Sequence, residues 1–146
     1  MIEVEVFGVE ASAEGSGLPG SPGPPGSGRG VPALQEIQRL CALAAGSAGV
    51  CEGHVAIEFV DERRIAELNR LHRDRPKPTD VLSFPIDGAE PAHGERELGD
   101  VVICLRHTSD VREAIVHGVL HLVGMDHETD GGEMLQLQRE LLRESA

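Results

Sequence analysis

The stretch His117 to His127, H-G-V-L-H-L-V-G-M-D-H, constrains this chain more than any other. His117 and His121 are four residues apart, a spacing that stacks them on one face of a helix. The rise between them is about 6 Å. Imidazoles so placed can tilt their nitrogens onto one ion at about 2.0–2.1 Å. His127 comes six residues later, off that face if the helix continues. Gly124 supplies a turn, because glycine just past a helix end takes the left-handed conformation without a Cβ clash. The chain can then bring His127 back. Three imidazoles with one open position are the layout of a catalytic zinc site; structural sites usually close all four positions, often with Cys. The expected cofactor is therefore one Zn2+ ion, with His117, His121 and His127 as ligands. Three imidazoles buried together without an ion would carry a desolvation cost that nothing offsets.

The residues before the motif read as a buried helix. Asp110 with Glu113 three residues later fits an N-terminal capping pattern. Val111, Ala114, Ile115, Val116, Val119, Leu120, Leu122 and Val123 make the segment apolar over most of its circumference. Its polar stripe is Asp110, Glu113, His117 and His121. Glu113, one turn before His117, is a candidate acceptor for the ring N–H of a histidine that faces away from the metal.

The same histidine spacing occurs in the metzincin proteases, which place a glutamate general base directly after the first histidine. Here that position is Gly118, so a peptidase working that way lacks its base. A zinc metallopeptidase or amide hydrolase is one alternative reading. A non-catalytic module that keeps zinc for folding is another.

Length suits a single α+β domain: the chain has 146 residues, enough for a real core. It has three Phe and no Trp or Tyr, so the core must be aliphatic and little aromatic surface is left for stacking nucleobases. The net charge of −12 argues against a broad electrostatic grip on nucleic acid. Six of the 13 basic residues, however, fall between Arg63 and Lys77, a single candidate patch. Cys41, Cys51 and Cys104 are odd in number and form no C-x-x-C, which indicates free thiols in a reducing compartment. Neither a signal peptide nor a membrane-spanning run is visible, so a cytoplasmic location is expected. No Walker-type Lys follows the glycines, and no nucleotide cofactor is expected.

In chain order, Ile2, Val4 and Val6 alternate as a strand. Gly8 to Pro32 is Gly-, Pro- and Ser-rich and reads as a mobile loop. Ala33 to about Ala45 has helical spacing of Leu34, Ile37, Leu40, Cys41 and Ala44, with Gly46 and Gly49 ending it. His54 to Val60 is a second strand. Asp61 caps a short helix through Asn69, and Arg70 to Pro78 reads as a basic, proline-broken loop. Val81 to Phe84 and Gly99 to Leu105 are strands, the latter central, separated by a polar loop from Asp87 to Glu97. Glu133 to Arg143 is a last helix on Leu135, Leu137, Leu141 and Leu142. The sum is one four-stranded sheet packed with helices.

With Leu68-Asn69, Arg73, P-T-D-V-L-S-F-P (Pro78 to Pro85), L-G-D-V-V-I (Leu98 to Ile103) and the histidine motif in this order, the sequence resembles the YbeY family of metal-dependent endoribonucleases of ribosomal RNA maturation. The resemblance runs from Val55 to about Leu137. It implies zinc on the motif histidines, Arg73 facing the cleft, single-stranded RNA as substrate, and ribosomal RNA or the ribosome as partner; under this resemblance the non-catalytic alternative is a ribosome-associated, zinc-stabilised module. Arg73 is then the group expected to meet phosphoryl charge through a two-point contact. Asp126 and Glu128 are candidates for orienting water, or simple turn residues. Thr79, Asp80 and Ser83 are expected to fix the loop–strand junction, with Asp80 near a basic group. His72, His93 and His107 read as exposed or loop histidines. Three positions depart from the family: His72 stands where an aromatic is common, Pro76 where Asp is frequent, and Met125 where Tyr is usual. The Asp100 to His117 segment is also shorter than in better-known members, which implies a missing helix.

Overall fold

The computed structural model describes residues 1–8, 30–75, 77–87, 96–126 and 131–145. Strand β1 is Ile2–Phe7, where Ile2 is buried and alternate positions face out. Helix α1, Leu34–Ser47, buries Ile37, Leu40, Cys41, Ala44 and Ala45. It runs past Gly46 and closes at Gly49, whose φ of +80° lets the Val50 N–H reach the Ala45 carbonyl at 3.0 Å. Leu34 is 52% exposed rather than part of the apolar face. Strand β2, Gly53–Val60, turns Val55, Ile57 and Phe59 into the core.

Helix α2 is longer than the sequence suggests. Asp61 caps it, accepting from the Arg64 N–H at 2.8 Å, but the helix continues to Arg73. Arg70 to Arg73 is therefore helix, not loop. Arg, Leu and His carry no helix-breaking penalty, and the nearest proline lies three residues beyond Arg73. The chain leaves the helix at Asp74, in the left-handed region with φ 56°. Buried Asn69 then donates to the Lys77 carbonyl at 2.9 Å and folds the next segment back.

Strand β3, Val81–Pro85, pairs antiparallel with β4, Glu97–Cys104. The sheet order is β1-β2-β4-β3, with the first three strands mutually parallel. β4 is interior, as its apolar run predicts, and β3 is an edge. One turn of 3-10 helix, Leu105–His107, leads to α3, Val111–Leu122. Helix α4, Glu133–Ser145, buries Met134, Gln138, Leu141 and Ser145, while Leu135 is 41% exposed. The buried face is thus shifted from the all-leucine face read from the sequence. It meets α3, and Arg112 of α3 bridges Glu36 of α1, at 3.0 Å, to the Ser145 carbonyl of α4, at 3.1 Å.

The result is an α+β domain of four helices and a four-stranded mixed sheet among the described residues. One sheet face carries the main core under α1, α3 and α4. The other holds Val60, Leu82, Val102 and Cys104 under Ile65 of α2. No helix among the described residues is long and apolar enough to cross a membrane. The loop expected at Gly8 to Pro32 falls largely outside the described residues, as does most of the Asp87 to Glu97 segment.

Candidate active site

Helix α3 begins as its sequence predicts, with Asp110 Oδ1 accepting from the Glu113 N–H at 3.2 Å. It ends on Gly124, φ +100°, where the Gly124 N–H donates to His121 O at 3.1 Å and the Met125 N–H to Leu120 O at 3.0 Å. That paired closure is a Schellman turn, possible because Gly124 has no Cβ to clash. It carries the chain sharply away after His121.

The two helical histidines face each other. Their Nε2 atoms are 3.1 Å apart, with ring centroids 4.7 Å apart and planes at 76°. His117 Nδ1 lies 2.8 Å from Gln138 Oε1, and His121 Nδ1 lies 2.9 Å from the Met125 carbonyl. Both oxygens only accept, so each Nδ1 carries the proton and donates. Each Nε2 is then the ring's lone-pair atom. Two such atoms pointing at one spot repel unless a cation lies between them. Tetrahedral ligands at about 2.0–2.1 Å from zinc stand roughly 3.3–3.4 Å apart, close to the spacing seen here. The pair fits two of a metal's ligands. His127 and Glu128 lie outside the described residues, and among those described no cluster of three or more His, Cys, Asp or Glu is placed to hold a metal ion.

Glu113 does not play the role expected of it: it is exposed, and Gln138 holds His117 instead. The face of α3 that presents His117 is roofed by α4, and Gln138 is the α4 residue aimed at the ring. Its signal in the sequence is a polar residue in the stripe Met134, Gln138, Leu141, Ser145, recognisable only once that face is known to be buried.

Gly118 is forced by packing. A Cβ there would meet Val101 Cγ1 at 2.5 Å, and Ser83 Oγ at 3.3 Å. Ser83 Oγ also donates to the Gly118 carbonyl at 3.1 Å, tying β3 to α3. No glutamate fits where a metzincin carries its base.

A cleft of about 750 Å³ opens over the two histidines. Its walls are Thr79 to Pro85 along β3, Gly124 to Asp126 beyond α3, and His72 and Arg73 at the end of α2. Arg73 thus shares the cleft with His117 and His121, but from the last turn of a helix rather than from a loop. His72 is exposed, also helical, and packs its ring against Phe84 at 4.7 Å. Among the described residues Asp80 meets no basic group; its Oδ1 accepts from the Val81 N–H at 2.9 Å and from Thr79 Oγ1 at 3.3 Å, fixing the start of β3. Asp126 lines the cleft. His107 ends the 3-10 turn that follows β4, with Nε2 2.9 Å from Glu62 Oε1. His93 lies outside the described residues.

Comparison with known proteins fits this geometry. The family model "Endoribonuclease YbeY" matches residues 32–146. The chain belongs to the YbeY family. It is 40% identical over 104 residues to the Endoribonuclease YbeY of Sulfurovum sp., covering 62% of this chain and 71% of that one. To that of Aquifex aeolicus it is 39% identical over 118 residues, covering 73% and 77%. The solution structure of TM1509 from Thermotoga maritima shares the fold, with a TM-score of 0.52 at 24% identity over 99% of this chain and 89% of that one. Membership assigns the chain to the hydrolytic endonucleases. The YbeY motifs land where the cleft is built: Leu68-Asn69 and Arg73 on α2, P-T-D-V-L-S-F-P on β3 and its approach, and His117 and His121 on α3.

Proposed function

We propose that this protein is a zinc-dependent endoribonuclease that cuts single-stranded RNA in the cytoplasm during ribosomal RNA maturation. The observation that carries the reading is the convergence of the His117 and His121 Nε2 atoms, 3.1 Å apart, in the cleft that Arg73 also lines. His117, His121 and His127 would hold the ion. When bound, zinc supplies a Lewis acid and lowers the pKa of water from about 15.7 to near 7. The protein's own residues do the rest. Gln138 and the Met125 carbonyl orient the two rings and keep their protons on Nδ1. Arg73 presents a planar guanidinium to the phosphoryl oxygens, where charge grows as the bond breaks. With a net charge of −12, RNA affinity must rest on the Arg63 to Lys77 cluster, which α2 and the residues after it display.

The peptidase reading loses its support at Gly118, where no side chain fits. The test is to assay one preparation on single-stranded RNA, on duplex RNA and on casein, with and without chelator, alongside elemental analysis. Chelator-sensitive cleavage of the single strand is expected. Casein cleavage would favour the peptidase, and zinc without any hydrolysis would favour the binding module. His117→Ala, His121→Ala and His127→Ala should each lose zinc, since three ligands leave no redundancy; full occupancy in any of them would sink the assignment.

A further inference from the structure

We propose that His72 and Phe84 form a stacking platform for one unpaired nucleobase next to the phosphate that Arg73 meets. The proposal rests on the endoribonuclease reading and names how the cleft would recognise a single strand.

Aromatic surface is scarce in this chain, with three Phe and no Trp or Tyr. Phe59 is 1% exposed and belongs to the core, while Phe7 lies on β1 at the opposite edge of the sheet. Phe84 is different. It is half-buried on β3, lines the cleft, and meets the ring of His72 at 4.7 Å with the planes at 60°. A tilted pair of this kind uses one ring face of the four, and the contact holds both rings in place. His72 itself is exposed, so the platform is open to the cleft.

Position links the platform to the chemistry. His72 and Arg73 are consecutive in the last turn of α2, and both line the cleft. Consecutive helical side chains diverge by about 100°. One can face a phosphate while the other faces the base attached to the same backbone. Base stacking on aromatic rings is indifferent to base identity, because every base has a π face. It does require an unstacked base, which a duplex does not offer. The platform would therefore select for single strands without reading sequence.

The test compares the wild-type protein with His72→Ala and His72→Phe on a single-stranded oligoribonucleotide and on copies with one abasic nucleotide moved along it. Stacking contributes about 5- to 150-fold per base in affinity. His72→Ala should raise KM by about that factor with kcat little changed, the mark of binding lost equally from ground and transition states. His72→Phe should restore KM, which a proton-transfer or phosphate-binding role would not allow. In the wild type, one or two abasic positions should raise KM; in His72→Ala those positions should cease to matter. An unchanged KM in His72→Ala, failure of His72→Phe to restore it, or abasic penalties equal in both proteins would overturn the platform and leave the endoribonuclease reading standing. A wild-type protein that neither binds nor cleaves RNA would remove both.

Discussion

His117 Nδ1 and Gln138 Oε1 stand 2.8 Å apart, joining a histidine of α3 to a buried side chain of α4. The contact sets which ring nitrogen is protonated and where Nε2 points. Gln138→Ala should lower zinc affinity by about 10- to 100-fold, as loss of such partners typically does. Competition against a chelator of known affinity measures it. Gln138→Glu should regain the hydrogen bond and most of the affinity; equal affinity in wild type and Gln138→Ala would show that the amide only packs.

Arg73 shares the cleft with both histidines but sits on a different helix. Arg73→Ala should keep zinc and thermal stability yet lose RNA cleavage by about 10²–10³-fold, the usual effect of removing one preorganised donor. Arg73→Lys should recover only part, since an ammonium lacks the planar two-point geometry. Single-turnover cleavage and zinc content, measured on the same samples, check this. Normal cleavage in Arg73→Ala would make the arginine a surface residue.

Gly118 presses against the branched side chain of Val101 on the interior strand β4. Gly118→Ala would gain about 1 kcal/mol in helix propensity. The 2.5 Å approach to Val101 Cγ1 should outweigh it, near the upper end of the roughly 1–3 kcal/mol range for overpacking, because a valine on a central strand cannot swing aside. Urea denaturation should show net destabilisation. Adding Val101→Ala should reverse much of it, and a Gly118→Ala variant more stable than wild type would refute the packing argument.

His54 binds across three strands, with Nδ1 2.9 Å from Glu97 Oε2 and Nε2 3.0 Å from Glu5 Oε1. Partial burial pushes its pKa down, but the two carboxylates outweigh this and raise it above the ordinary 6.5. A raised folded-state pKa stabilises fully below the unfolded value and loses that stabilisation as pH rises through the folded one. The melting-temperature gap between wild type and His54→Gln should therefore be wider at pH 5.5 than at pH 8.5, two conditions on the order of one to two units either side of the unfolded value. A gap that widens toward alkaline pH would contradict the assignment.

The three cysteines are free, but their reactivity should differ. Burial pushes the Cys41 thiol up to about 12, and burial also raises Cys104, whereas Cys51 is exposed. A thiol reagent at neutral pH should modify Cys51 rapidly and the other two only after denaturation. Rapid modification of all three in the native protein would mean the core opens readily.

What the sequence determined by itself was local. The four-residue histidine spacing, the Asp110 cap and the Gly124 turn each depend on backbone geometry within a few residues, and all three appear in α3 as read. Strand alternation likewise marked the inward positions of β2, because a period of two needs no knowledge of the partner. The tertiary structure decided what touches what across long separations. Periodicity gives α4 an apolar face but does not place α3 beneath it, so it points to Glu113 on the same helix and not to Gln138. Composition alone reads Arg70 to Arg73 as loop; the packing of Ile65 against the sheet and of Asn69 against the following segment carries the helix through to Arg73. The strand order β1-β2-β4-β3 put β3 at an edge, and that placement set Phe84 beside His72 and both beside the histidine pair. Pairing of this kind is chosen by the burial of whole faces at once, and no window of neighbouring residues contains it.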